Sequence, residues 1–229
     1  MINFKRIKIM ERPREETSKP FIDDIYLSRA IPAKYINLIQ EVGENPTMRH
    51  NPLTSLTTVA WTRILYDSER KSFFEKHLTG QILIDLGGGI SSVLMTTLTE
   101  TIKVKTYINV DIDFDFLKNK EFGLPMSMKT VNGITKVKIG GDMLDFVSRI
   151  QYANKGIGIN FTMNNIDECN IDNREYFIAL ANEVIRILRP GNIIFGCYSP
   201  MFFAQLSERD KLQAVPLFQE EQKFHVFRA

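Results

Sequence analysis

The sequence predicts an α/β fold: a doubly wound, mainly parallel central sheet with a helical N-terminal extension. Three observations carry this expectation. Ile82-Leu-Ile-Asp-Leu86 is a short apolar run of the kind that forms a strand buried on both faces of a parallel sheet. Gly87-Gly-Gly89 ends it, and Val93, Leu94, Met95 and Leu98 follow at the spacing of one helix face. Strand-like runs then alternate with helical patterns to the C-terminus, as a βαβ architecture requires.

Composition narrows the function classes. The chain has 229 residues, 44% hydrophobic and 24% charged, enough for one core with an extension. A net charge of +2 is too small to argue for nucleic acid as a partner. No apolar run approaches spanning length, so no membrane partner is expected. Cys169 and Cys197 lack metal-ligand spacing and the three histidines are scattered. Neither a disulfide framework nor a metal site is expected, which suits a reducing cytoplasm.

Taken in order, residues 1–30 read as an extended arm of mixed charge, with Pro13 and Pro20. Residues 32–42 carry Tyr35, Ile36, Leu38, Ile39 and Val42 at helical spacing, with Gly43 as a stop. Residues 44–52 read as a loop, and 53–78 as helix in one or two pieces. The division expected is an arm and helical cap over 1–79 and a ligand-binding domain over 80–229. Within the cap, Trp61 and Tyr66 read as core aromatics, Arg63 as a surface charge and His50 as a loop residue. Lys105–Asp111 is a second strand ending in an acid. Asp113 and Asp115 then stand as helix caps. Asn132-Gly133 between alternating runs marks a hairpin. Gly141-Asp142 ends the next strand, with Asp142 an N-cap for a helix over 143–150. Residues 157–163 form a fourth strand, followed by a polar loop over 164–172 that stands as a site wall. Residues 174–188 are the best amphipathic helix, stopped by Pro190-Gly191, and 192–197 a fifth strand. A helix over about 201–212 and short strands at 215–218 and 224–227 close the chain.

Asp85 discriminates between nucleotide ligands. A dinucleotide sets its pyrophosphate at the glycine turn and helix N-terminus. Like charges ~4 Å apart repel by roughly 4 kcal/mol at an effective dielectric near 20. A carboxylate there therefore favours a cationic ligand such as S-adenosylmethionine (SAM). Asp111 follows the first glycine at roughly the 20-residue spacing of a ribose-binding acid. Asp142 is placed to accept from an exocyclic amine.

These motifs resemble those of class I SAM-dependent methyltransferases. Asp85-Leu-Gly87-Gly-Gly89-Ile-Ser91 is similar to the family's first motif, Asp111 to its ribose acid, Gly141-Asp142-Met143 to its third-strand motif, and Leu188-Arg-Pro-Gly191 to its later helix end. The resemblance covers about residues 80–229. Ser91 departs from a glycine and Asn192 from another, and the strand-four motif of amino-methylating DNA enzymes is replaced by Asn160-Phe-Thr-Met163. The resemblance implies that Asp85 holds the methionine ammonium, directly or through water, and that Gly87, Gly88 and Gly89 let the cofactor approach. It places Asp111 and Ile112 at the ribose and adenine, Asp142 and Met143 at the adenine edge, and Asn160 and Phe161 on the methyl-transfer side. It implies SAM as cofactor and a small molecule or protein side chain as methyl acceptor. His50, Tyr66, Asp167 and Glu168 are candidate bases, none preferred. The alternatives are a non-catalytic binding protein of the same fold and a dinucleotide-dependent oxidoreductase, which Asp85 and Ser92 disfavour.

Overall fold

The structure, a computed structural model, describes residues 20–21, 24–28, 30–44, 61–89, 93–112, 114, 124–164, 166, 171, 173–219 and 223–229. His50, Ser91, Ser92, Asp113, Asp115, Asp167, Glu168 and Cys169 lie outside the described residues.

Among the described residues, eight strands form the main sheet. They are β3 (Ile82–Leu86), β4 (Thr106–Asp111), β5 (Met126–Val131), β6 (Ile134–Gly140), β8 (Ile159–Asn164), β9 (Ile193–Cys197), β10 (Gln213–Ala214) and β11 (Phe224–Arg228). Their order is β10-β11-β9-β8-β3-β4-β6-β5. The pairs β3/β4, β4/β6, β3/β8 and β8/β9 are parallel, and β5/β6, β9/β11 and β10/β11 antiparallel. The chain thus leaves β3 toward β4 and β6, then returns to β8 on the other side. The order reverses between β3 and β8, and in open α/β sheets such a switch point opens a crevice at the carboxyl ends of the strands.

Helices cover both faces, as a parallel sheet demands. Ile82, Ile84 and Leu86 join a core with Phe146 and Val147 of α4 (Met143–Arg149), Phe177 and Leu180 of α5 (Arg174–Ile187), and Phe202 of α6 (Pro200–Ser207). Leu83 joins the opposite core with Phe74 and Leu78 of α2 (Ser68–Leu78) and Leu98 and Ile102 of α3 (Val93–Ile102). Every side chain of β3 is therefore buried, but alternate ones go to different faces.

Several boundaries differ from the sequence reading. The helix α1 (Ile36–Glu44) runs through Gly43 rather than stopping there, and Leu38, Ile39 and Val42 pack its apolar face on the core. Residues 61–66 and α2 are separate pieces, broken at Asp67, whose side chain caps α2 by accepting from Glu69 and Arg70 N–H. Trp61 is fully buried, but Tyr66 is exposed and is not a core residue. The hairpin at Asn132-Gly133 forms with positive φ at both residues, and its second arm is itself the third core strand, β6. A strand missed in the sequence, β7 (Ile150–Ala153), pairs with β2 (Ile25–Leu27), which pairs with β1 (Pro20–Phe21), giving a second small sheet. α6 ends at Ser207 rather than near residue 212, and residues 216–218 form a 3-10 turn in place of the expected strand. Pro216 supplies no N–H for a ladder there.

Candidate functional site

The glycine turn sits at the carboxyl end of β3, beside the switch point. Gly87 N–H still donates to Val110 O at 2.8 Å, so the parallel pairing reaches the turn itself. A Cβ on Gly88 would lie well inside contact distance of Asp85 Oδ2 and 2.7 Å from Asn109 Oδ1. Only glycine fits there, and the neighbour that excludes anything larger is the Asp85 carboxylate. Gly89 has a φ of +67° with open space around its Cβ position, so backbone conformation alone selects glycine. Gly87 faces Ile166 instead, whose Cδ1 lies 2.5 Å from its Cβ position, with Met143 Sδ at 3.5 Å. The open side of the turn is thus at Gly89.

The three aspartates end adjacent strands but stand in different settings. Asp85 is fully buried beneath Gly88 and accepts from the Tyr107 hydroxyl at 2.6 Å. The resemblance gave it the methionine ammonium, directly or through water; here the turn lies over the carboxylate. Asp111 accepts from Gly89 N–H at 2.7 Å, a charge-assisted bond tying the end of β4 to the open side of the turn. Next to it, Ile112 is 61% exposed at the strand end. Asp142 caps α4: it accepts from Asp145 N–H at 3.0 Å and from the Tyr176 hydroxyl at 2.9 Å. Burial pushes its carboxyl up to about 6, against the lowering effect of those donors. Burial and the adjacent Asp142 charge in turn raise the Tyr176 phenol well above its usual range. Asp111 and Asp142 are brought together by Gly141 N–H, which donates to Asp111 O at 3.1 Å.

Asn160 and Phe161 are not at the site. Asn160 is fully buried low on β8, where its side chain donates to Ile82 O at 3.4 Å and accepts from Ile193 N–H at 2.8 Å. Phe161 lies in the apolar core. Asn160 therefore stitches three strands together, and the carboxyl end of β8 belongs to Met163 and Asn164. The strand runs over Ile159–Asn164, so residue 160 falls near its start.

Sequence reasoning missed a buried polar row on one face of the sheet. Asn109, Asp85 and Thr162 are paired neighbours across β4, β3 and β8. Asn109 Nδ2 donates to Gly89 O at 3.1 Å, bracing the turn from below. Asn164 continues the row upward, donating to Thr162 Oγ1 at 3.0 Å. The signal was present: polar residues recur at every second position of β4 and β8 inside otherwise apolar strands. Among the described residues no cluster suits a metal ion, and no helix is long and apolar enough to cross a membrane.

No family model matches the chain, and no curated protein does. Solved structures show similar arrangements. One is a chain of the complex between the Haloferax volcanii Trm112 methyltransferase activator and a methyltransferase: 11% identity, TM-score 0.39, covering 77% of this chain and 94% of that one. Another is human N-acetylserotonin methyltransferase in complex with SAM: 11% identity, TM-score 0.42, covering 84% of this chain and 65% of that one. A third, from Pyrococcus horikoshii, is described as an RNA methyltransferase: 11% identity, TM-score 0.39, covering 86% and 97%. Likeness this distant says nothing of the site, whose chemistry is taken from this chain's own residues.

Proposed function

We propose that the protein is a SAM-dependent methyltransferase. One observation carries the reading: the Gly89 N–H, on the open side of the turn, is given to the Asp111 carboxylate, while a second carboxylate, Asp85, lies directly beneath Gly88. A dinucleotide site offers such N–H groups to a pyrophosphate. Here the donor is already used by one carboxylate, and a second lies just beneath the turn, so a further anion at this point would be repelled. The donor set fits an adenosine ligand that is neutral or cationic at this point.

In this reading Asp111 binds the ribose hydroxyls, Ile112 covers one face of the adenine, and Asp142 with Met143 lines its edge. Gly87, Gly88 and Gly89 shape the backbone against which the ligand lies, and Asp85 acts from beneath by fixing the turn. When bound, SAM supplies a methyl group on a sulfonium, open to displacement by a nucleophile in line with the carbon–sulfur bond. The chain's contribution is to hold both reactants in that geometry and to keep water out, which alone supplies a large part of such a rate enhancement.

The experiment is transfer of labelled methyl from SAM to components of a cell extract, with Asp111→Asn as control. Wild type should label an acceptor, and the variant should bind the demethylated product, S-adenosylhomocysteine (SAH), at least tenfold more weakly, as expected for a hydrogen bond to a charged group worth roughly 1.5–3 kcal/mol. SAH binding without transfer to any component would instead identify a non-catalytic SAM-binding protein.

A further inference from the structure

The polar row beneath the turn ends at Asn164, and the orientation of its amide is fixed by partners that can only donate. Trp61 Nε1 donates to Asn164 Oδ1 at 3.3 Å and the Cys197 backbone N–H donates to the same oxygen at 3.2 Å. The Cys197 thiol donates to it as well, at 3.4 Å. An indole N–H and a peptide N–H have no lone pair to offer. Rotating the amide by half a turn would set its NH2 against both. The oxygen therefore faces inward. Of the two hydrogens on Nδ2, Thr162 Oγ1 takes one, and the other has no acceptor among the described residues. The side chain is only 9% exposed. That hydrogen is the one the side chain can offer to a ligand.

Asn164 stands at the carboxyl end of β8, beside the glycine turn. Met163 pairs with Leu86, which sets Asn164 level with Gly87, and Ile166 packs over Gly87 two residues further on. The wall behind it is rigid. Asn164 pairs with Cys197 at the end of β9, and Ser199 Oγ accepts from Ile166 N–H at 3.1 Å. Between them Tyr198 is held at a φ of +56°, a backbone region that bulky residues rarely enter. Its N–H donates to Lys223 O at 3.2 Å, and its ring carries the Lys223 ammonium 5.1 Å from its centroid.

We propose that Asn164 is a specificity-determining residue for the methyl acceptor, selecting compounds that present a carbonyl-type oxygen over those that present an amine, and that Trp61 is the residue that positions it. This rests on the methyltransferase reading above. The polarity follows from geometry: the amide oxygen is used up by donors, so only an N–H is left to meet a ligand.

The test is a titration of the full-length 15N-labelled protein, saturated with SAH, by two probes of similar shape. N,N-dimethylbenzamide only accepts hydrogen bonds and benzylammonium only donates them. The side-chain amide resonances of Asn164 should shift and saturate with the first and not with the second. In Trp61→Phe the amide oxygen loses its indole donor and keeps those of Cys197, and with that weaker hold on its orientation the preference between probes should fall by roughly tenfold, the worth of one hydrogen bond. In Asn164→Asp, which offers only acceptor oxygens when ionised, the preference should reverse. Saturation by benzylammonium alone, or by neither probe, overturns the proposal. Binding of SAH itself is read separately by calorimetry. If SAH fails to bind, the methyltransferase reading falls and this proposal with it, whereas normal SAH binding with the wrong probe preference removes only the role given to Asn164.

Discussion

Replacing Gly88 by alanine tests how the turn is built. The added methyl would sit inside contact distance of Asp85 Oδ2 and 2.7 Å from both Asp85 Cγ and Asn109 Oδ1. The carboxylate is fully buried and held by the Tyr107 hydroxyl at 2.6 Å, so it cannot swing into solvent. Relief requires giving up that bond, worth roughly 1.5–3 kcal/mol for a charged acceptor, and overpacking the site, worth about 1–3 kcal/mol. The sum is roughly 2.5–6 kcal/mol, a large share of a typical domain stability of about 5–15 kcal/mol. Gly89→Ala is the internal control: nothing crowds its Cβ position, so only the left-handed backbone is strained, costing about 1–2 kcal/mol. Urea denaturation of both variants, of Tyr107→Phe and of the Gly88→Ala/Tyr107→Phe double variant reads the difference. The double variant should lose less than the sum of its parts, since both changes break one contact. Equal costs at Gly88 and Gly89, or strict additivity in the double variant, would refute the picture of Asp85 supporting the turn.

Two further predictions concern buried carboxyl groups. The folded-state pKa of Asp142 is raised from 3.8 to about 6, so its protonation favours the fold: the contribution is fully present below about pH 3.8 and is lost as pH rises through about 6. Asp142→Asn, which keeps the cap, should remove that dependence, so wild type should lose on the order of 3 kcal/mol relative to the variant between pH 4 and 7 in denaturation measured across that range. Glu183 behaves oppositely. Burial works to raise its pKa, but donation from the Tyr35 hydroxyl at 2.5 Å, together with Arg186 and Lys34, outweighs it and the net shift is downward. Glu183 therefore stabilises the fold above its unfolded-state pKa near 4.5, and that support is lost as pH falls through its lower folded-state value. Tyr35→Phe should cost about 1.5–3 kcal/mol at pH 7 and noticeably less in acid, measured by denaturation at both pH values.

The main sheet was legible because its strands are short apolar runs bounded by glycine and proline, and because the helix over 174–187 has a clear apolar face. The hairpin was legible from two residues, Asn132 and Gly133. What escaped was set by tertiary contact rather than by local pattern. β7 carries no strand pattern of its own beyond the expected helix over 143–150, and its pairing with β2 makes it a strand. Pro216 and Phe218 form a turn because Phe218 packs on Phe74 and Phe224. At the site, the positions of Asp85, Asp111 and Asp142 at strand ends were read correctly, but sequence spacing says nothing about which way a carboxylate turns. Asp85 lies under the turn and not in the crevice, and Tyr107 and Asn109, which fix it and the glycines, carry no motif. Asn160 lies near the start of β8: the motif resemblance that singled it out carries no register, and the end of the ladder is Asn164.

The most direct measurement is calorimetric titration of the purified protein with SAH and, separately, with NADH. Two carboxylates and a spent N–H at the glycine turn require micromolar binding of SAH and no measurable binding of NADH. Tight binding of NADH, or none of SAH, would contradict a site made for a cationic adenosine ligand.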